Sequence, residues 1–349
     1  MKNDKATGRI TWQRVSLSIL CVLLALVLTV MIAATAYVHH LLGFITGDEN
    51  GEINATLPPD VLASATARPS IDPGFTGPST EYVPQDTLPP VQDNREIINI
   101  LLIGEDRKGE SYRQRSDSMI LCSFNTKTNK MTMISFLRDT YVSKIPGYWG
   151  DKLNAAYQFG GAKTLNQTLA AYFGVHVDAN VAVQIDGFVE IVDMLGGVDI
   201  DLTSKEAKHL NGLAPETETW NLKAGMNHLN GTQTMQYARI RKLDMDAMRA
   251  QRQRKVLTAL INAYKGKPLA EMITLTSDIL ATGLVQTDMS SDEVMHYVRL
   301  LFPMLSSMAI GNQQIPAEGT YENMAVGNVV DAKVCDLEAN RKILQALLN

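Results

Sequence analysis

The chain has 349 residues, 45% of them hydrophobic and 20% charged, with a formal net charge of -5. That length allows about two domains and that composition supports a packed core. The acidity excludes a general nucleic-acid binder, which needs a basic field. Three cysteines, with Cys21 inside an apolar run, make no disulfide framework, although a Cys122–Cys335 bridge stays open.

Residues 1–15 form a basic tail carrying Lys2, Lys5, Arg9 and Arg14. Ser16 to Val38 carries no charge and is long enough to cross the hydrocarbon core of a bilayer. Asp48, Glu49 and Glu52 follow it. Positive charge stays on the cytoplasmic side, so the expectation is a single-pass anchor at the cell membrane, N-terminus cytoplasmic, with the rest of the chain extracellular. A cleaved signal peptide is the rival, since Ala34-Thr35-Ala36 looks like a cleavage site. The apolar run is nevertheless longer than a signal core of roughly 7–15 residues. Residues 39–95 are rich in Pro, Ser, Thr, Gly and Asp and read as an extended linker. The folded part is then 96–349.

Ile97 to Ile103 is nearly continuous aliphatic, the pattern of a strand buried on both faces. Glu105, Asp106 and Arg107 fall where it ends, and strand ends that open into loops often carry ligand sites. Met119 to Phe124 and Met131 to Phe136 read as two strands of a hairpin around Asn125 to Lys130. A symmetric turn pairs residues whose numbers sum to 255, which sets Asp117 opposite Arg138. An ordinary cross-strand ion pair would explain that juxtaposition equally well. Leu153 to Gly174 looks like two helices divided at Gly160-Gly161. A strand (181–185), a short helix (186–195) and another strand (196–202) follow. The alternation predicts an α/β (α+β layered) domain, a central mixed sheet flanked by helices and preceded by one transmembrane helix.

Five arginines, Arg239, Arg241, Arg249, Arg252 and Arg254, crowd into residues 237–256 of this acidic chain. A helix is expected from Asp246 to about Tyr264, with Asp246 as a start residue. Val256, Leu257, Leu260 and Ile261 form its apolar stripe. Arg249, Arg252 and Gln253 prolong that stripe toward the N-terminus, with Arg249 and Gln253 one turn apart. A guanidinium aimed at the protein interior needs a partner, and the helix N-terminus adds positive character. An anion, best a phosphate, is the simplest occupant. Internal salt bridges to Asp244, Asp246 and other carboxylates are the alternative. Arg239 and Arg241, two apart, face the same way if the segment is extended. Arg254 falls on the outer side and is expected in solvent.

The run of motifs around "NILLIGEDRKG", "RQRSDSMIL", "ISFLRDTYV", "DKLNAAYQFGG", "LGGVDIDL", "YARIRK" and "DAMRAQRQ" resembles the LytR-CpsA-Psr family over roughly residues 96–264. The resemblance extends plausibly through a helical remainder to residue 349. It implies that 96–349 is a catalytic domain that transfers a glycopolymer from a polyprenyl-pyrophosphate carrier to a peptidoglycan sugar hydroxyl, assisted by Mg²⁺. Carried over motif by motif, it implies metal ligation by Asp106 and Asp117. It implies pyrophosphate contacts from Arg115, Arg138, Arg239, Arg241, Arg249 and Gln253. Arg138 and Asp139 are the catalytic candidates, Asp139 as a base for the acceptor hydroxyl. Arginines and Mg²⁺ suit this chemistry because charge builds on both phosphates as their linkage breaks. Phe159, Phe173, Phe188 and Leu195 are candidates for an apolar lipid groove, or simply core. Glu105 stands where the family often has Ser, "SFLRD" replaces "SIPRD", and "LDMDAMR" replaces a Gly-rich loop. A non-catalytic receptor or envelope regulator, and a pyrophosphatase that uses water as acceptor, remain as alternatives.

Overall fold

The computed structural model describes residues 96–105, 113–240, 243, 246–305 and 307–348. The expected anchor and linker, Asp106, Arg241 and Asp244 lie outside the described residues. Among the described residues, no helix is long and apolar enough to cross a membrane.

In chain order the described elements begin with β1 (Ile97–Glu105), β2 (Ser116–Asn125), β3 (Lys130–Phe136), β4 (Tyr141–Val142), β5 (Asp151–Lys152) and α1 (Leu153–Phe173). There follow β6 (Ala179–Gln184), α2 (Ile185–Met194), β7 (Val198–Leu202), α3 (Ser204–Asn211), β8 (Gly225–Leu229), α4 (Gly231–Ala238) and α5 (Asp246–Lys265). The remainder is α6 (Leu269–Ala281), β9 (Val285–Thr287), α7 (Ser291–Leu301), β10 (Ala309–Ile315), β11 (Tyr321–Val326), β12 (Val329–Cys335) and α8 (Leu337–Leu348). A six-stranded sheet runs β10-β3-β2-β1-β6-β9. It is mixed: β1 is antiparallel to β2 and parallel to β6, and β3 is antiparallel to β2 and parallel to β10. The fold is therefore α/β, a central mixed sheet with helices on its faces, as the alternating pattern predicts.

The hairpin register is the one the symmetric turn requires, with Ile120 opposite Ser135 and Asn125 opposite Lys130. Asn125 Oδ1 accepts from the backbone N–H groups of Lys127 and Thr128, which closes the turn. The β1–β2 ladder slips at its far end, where Gly104 faces Ser118 but Glu105 faces Ser116. Asp117 is thus the extra residue of a β-bulge, a device that re-aims a side chain.

Helix α1 is two helical segments meeting at Gly160 (φ -141°) and Gly161 (φ 67°, ψ -160°), where the sequence predicts the break. A Cβ on Gly160 would lie 1.9 Å from Thr164 Oγ1, and Gly161 occupies a left-handed φ that side chains rarely adopt. Gly174 ends the helix in the αL conformation, its N–H bonded to Ala170 O.

The two faces of the sheet differ. On one, Leu101, Ile103, Leu121, Ile134 and Phe136 pack against Tyr157, Leu165, Leu169, Tyr172 and Phe173 of α1. Phe159 belongs to this core too, so Phe159 and Phe173 line no groove. On the other face, Ile120, Cys122, Met131 and Met133 meet Leu257 and Ile261 of α5. Cys122 and Cys335 are free, and burial pushes both thiols up to about 12. The C-terminal part is not the helical remainder expected. β10 completes the sheet and β11–β12 forms a hairpin.

Candidate functional site

The α5 face of the sheet contains a cavity of about 280 Å³. Its apolar walls come from Leu102 and Ile103 of β1, Ile120 of β2, Val181 and Val183 of β6, Phe188 and Ile191 of α2, Met235 of α4 and Val256, Leu257 and Leu260 of α5. Leu195 lies outside this wall, at the C-cap of α2. The polar lining residues gather at one end. Glu105 is the last residue of β1, Asp117 and Ser118 begin β2, Arg239 caps α4, and Arg249 and Gln253 occupy the first turns of α5. An apolar channel thus runs along the strands and ends in carboxylates, guanidiniums and an amide. This polarity suits a ligand with a long apolar tail and an anionic head.

The helix-face reading of the sequence placed Arg249 and Gln253 on the inward stripe, and both line the cavity. Arg249 is 6% exposed. Arg239 reaches the same mouth by a different route. It is not extended but sits at the C-cap of α4 (φ -99°, ψ -1°), where Nη1 donates weakly to Met235 Sδ at 3.9 Å.

Arg252 resolves to the salt-bridge alternative. Its Nε donates to Glu206 Oε1 at 2.9 Å and its Nη1 to Ile240 O at 3.0 Å. Burial alone would push the Glu206 carboxyl up. The Thr203 backbone N–H, the Arg252 guanidinium and the Thr203 hydroxyl outweigh that and hold it below the ordinary value. Glu206 also completes the capping box of α3 with Thr203. Arg254 overturns the expectation of a solvated side chain: it is 8% exposed, and burial lowers its pKa. Local periodicity cannot announce this burial, because α5 also packs against β10, which lies more than 50 residues further on.

A second group flanks the mouth where β2 and β3 end. Arg138 Nη1 meets Asp117 Oδ1 at 2.6 Å, the pair that the hairpin register predicts. Arg138 Nε also reaches Asp139 Oδ2 at 3.3 Å, while Lys152 Nζ takes Asp139 Oδ1 at 2.9 Å. Both oxygens of Asp139 are engaged by cations, an arrangement that orients Arg138 beside Asp117. Arg115 forms a fork on Asp151, Nη2 to Oδ2 at 2.7 Å and Nη1 to Oδ1 at 3.4 Å, with Asn154 Oδ1 also at 3.4 Å. It lies in front of α1 and is absent from the cavity wall.

Glu105, which the sequence reading treated as a departure, is 2% exposed and accepts the Gln114 backbone N–H at 2.7 Å. It ties the Arg113–Arg115 segment to the end of β1. Its sequence signal was its position at a strand end beside Asp106. Glu105 and Asp117 place two carboxylates at one mouth, and among the described residues no group of three or more His, Cys, Asp or Glu gathers as a metal site. Oxygen donors few in number suit Mg²⁺, which keeps several waters and is completed by phosphate oxygens.

Fold and site together define the class: an α/β protein with a deep apolar pocket whose mouth carries carboxylates and guanidiniums. The chain belongs to the LytR_cpsA_psr family, whose model matches residues 77–344. It is 36% identical over 208 residues to the polyisoprenyl-teichoic acid–peptidoglycan teichoic acid transferase TagU of Oceanobacillus iheyensis, across 57% of this chain and 61% of that protein. It is 34% identical over 203 residues to a TagU of Bacillus cereus, across 57% and 63%. The matched region thus spans about three fifths of the length of these curated relatives. Among solved structures it is similar to B. subtilis TagT, with 26% identity and a TM-score of 0.57 over 81% of this chain and 98% of that one. A structure of TagT bound to LI-WTA matches at 26% identity and TM-score 0.57, over 77% and 97%.

Proposed function

We propose that this chain is a membrane-anchored extracellular phosphotransferase that moves a glycopolymer from a polyprenyl-pyrophosphate carrier to a peptidoglycan sugar hydroxyl. The observation that carries this reading is the apolar cavity ending in Glu105, Asp117, Arg239, Arg249 and Gln253. The names of the TagU relatives support the carrier, the polymer class and the acceptor.

In this reading the polyprenyl tail lies along Leu102, Val183, Phe188 and Leu260, and the pyrophosphate rests at the mouth. The acceptor hydroxyl gives its proton to a base, with Asp139 as the candidate, and attacks the phosphorus that bears the glycan. The bond between the two phosphates breaks, and polyprenyl phosphate leaves. Arg249, Gln253 and Arg239 receive the charge that builds on the phosphate oxygens, joined by Arg241. Arg138, held in place by Asp139, and Arg115 approach from the β2–β3 side. Asp117 and Asp106, with Glu105 beside them, would hold Mg²⁺, which supplies Lewis-acid neutralisation of the phosphates. The N-terminal anchor, from Ser16 to Val38, keeps the site near its lipid substrate.

The test is a product assay with radiolabelled lipid-linked glycan and soluble peptidoglycan, with and without Mg²⁺. Label in peptidoglycan supports transfer. Label only in free glycan phosphate identifies water as the acceptor. Bound but unchanged lipid identifies a receptor. Protease applied to intact cells should remove the chain beyond residue 48 and spare the extreme N-terminus. A mature protein beginning near Tyr37 would refute the anchor.

A further inference from the structure

Arg254 does not line the cavity wall. Ala250, Arg254, Leu257 and Ile261 follow one another at four, three and four residues, so they share one line of the helix. Leu257 and Ile261 pack on the sheet with Ile120, Cys122 and Met133. Arg254 therefore continues that line one turn N-terminal to Leu257, on a helix that contacts β2, β3 and β10.

The sheet changes character there. Met131, Met133 and Ser135 alternate onto one face of β3, and Ser135 is paired with Gln314 while Met133 is paired with Asn312. The apolar methionine face thus turns into a polar strip of Ser135, Asn312 and Gln314. Arg254 Nε and Nη1 are buried and meet no hydrogen-bond partner among the described residues, and Ser135 Oγ is buried in the same condition. No carboxylate pairs with this guanidinium among the described residues, in contrast to Arg252. An unpaired buried charge is costly, and a polar strip placed where Met would pack has no role in the apolar core.

We propose that the buried Arg254 guanidinium and Ser135 hydroxyl, on α5 and β3, form a second anion site beside β10. There Arg254 and Ser135 take a phosphate of the glycan chain, separate from the pyrophosphate at the Arg249 mouth. This rests on the proposed function, because it assigns a phosphate-bearing polymer to the same enzyme. Asn312, exposed on the strip, and Gln314 are placed to meet sugar hydroxyls next to that phosphate.

The experiment uses the full chain in detergent and four probes: polyprenyl pyrophosphate, the same lipid bearing a glycan with a glycerol phosphate, its phosphate-free counterpart, and inorganic phosphate. Arg254→Met should weaken binding of the phosphate-bearing glycan lipid by about tenfold or more, the range for a hydrogen bond to a charged group. Binding of polyprenyl pyrophosphate and of the phosphate-free glycan lipid should not change. Ser135→Ala should show the same selectivity with a smaller loss, and it decides the matter if Arg254→Met fails to fold. Equal losses on all lipids, or no loss on any, would overturn the site. A Tm shift by inorganic phosphate that Arg254→Met abolishes, with glycan-lipid binding intact, would overturn the glycan as its source. A wild-type chain that binds no lipid at all would instead refute the proposed function.

Discussion

The same six strands present two faces built to opposite ends. Against α1 the sheet is sealed by aromatic side chains, with Tyr157, Tyr172 and Phe173 almost wholly buried. Against α5 it keeps a cavity of about 280 Å³ walled by branched aliphatic residues. Empty apolar volume forfeits packing contacts, so the second face gives up stability that the first secures. The difference teaches that the site is placed on the face whose cover, α5, also carries the arginines, while the opposite face holds the strands rigid beneath it.

Phe173→Ala strikes the sealed face and should show the largest effect on stability, about 3–5 kcal/mol. Chemical denaturation would measure it, and a loss below about 1 kcal/mol would erase the contrast between the faces. Arg249→Ala at the mouth of the open face should instead lower the transfer rate by about 10²-fold while Tm stays near wild type. Arg249→Lys should still impair transfer, since an ammonium lacks the planar fork. A collapse of Tm without a binding defect would return Arg249 to the scaffold. Leu260→Trp fills the cavity and should reduce lipid binding by roughly tenfold, with Tm unchanged or raised, because the added ring meets space rather than packed atoms. A large drop in Tm would mean that the open face is as tightly packed as the sealed one.

The smallest effect concerns the frame of the open face. The Glu206 carboxyl is held below its ordinary value. A depressed carboxylate contributes stability that is present above its unfolded pKa and is lost as pH falls through its folded one. Glu206→Gln should therefore flatten the acid limb of the stability curve below about pH 4.5. An unaltered acid limb would show that Glu206 does not couple to folding.

Much of this arrangement was legible because it is local. The hairpin symmetry fixed the Asp117–Arg138 pair, the Gly160-Gly161 doublet marked the break in α1, and the 100° periodicity put Arg249 and Gln253 on the cavity side. What escaped depends on distant chain. Arg254 looked external because nothing near it in sequence announces β10, whose Asn312, Gln313 and Gln314 hide a strand inside a polar run. Arg252 and Arg249 carry the same local signal, and nothing near Arg252 in sequence announces its partner Glu206, 46 residues upstream. Phe159 and Phe173 looked equally fit for a groove until the sheet assigned α1 to the sealed side.

Arg252 has a consequence beyond its own ion pair. By bonding Glu206 and the Ile240 carbonyl, it fastens the first turns of α5 both to α3 and to the segment that follows Arg239. A ligand reaching the mouth, such as the pyrophosphate proposed above, meets side chains borne on backbone that is already fastened at these points. The conformational entropy of ordering them was lost when the chain folded, not when the ligand arrives, so more of each contact's free energy is left to appear as affinity.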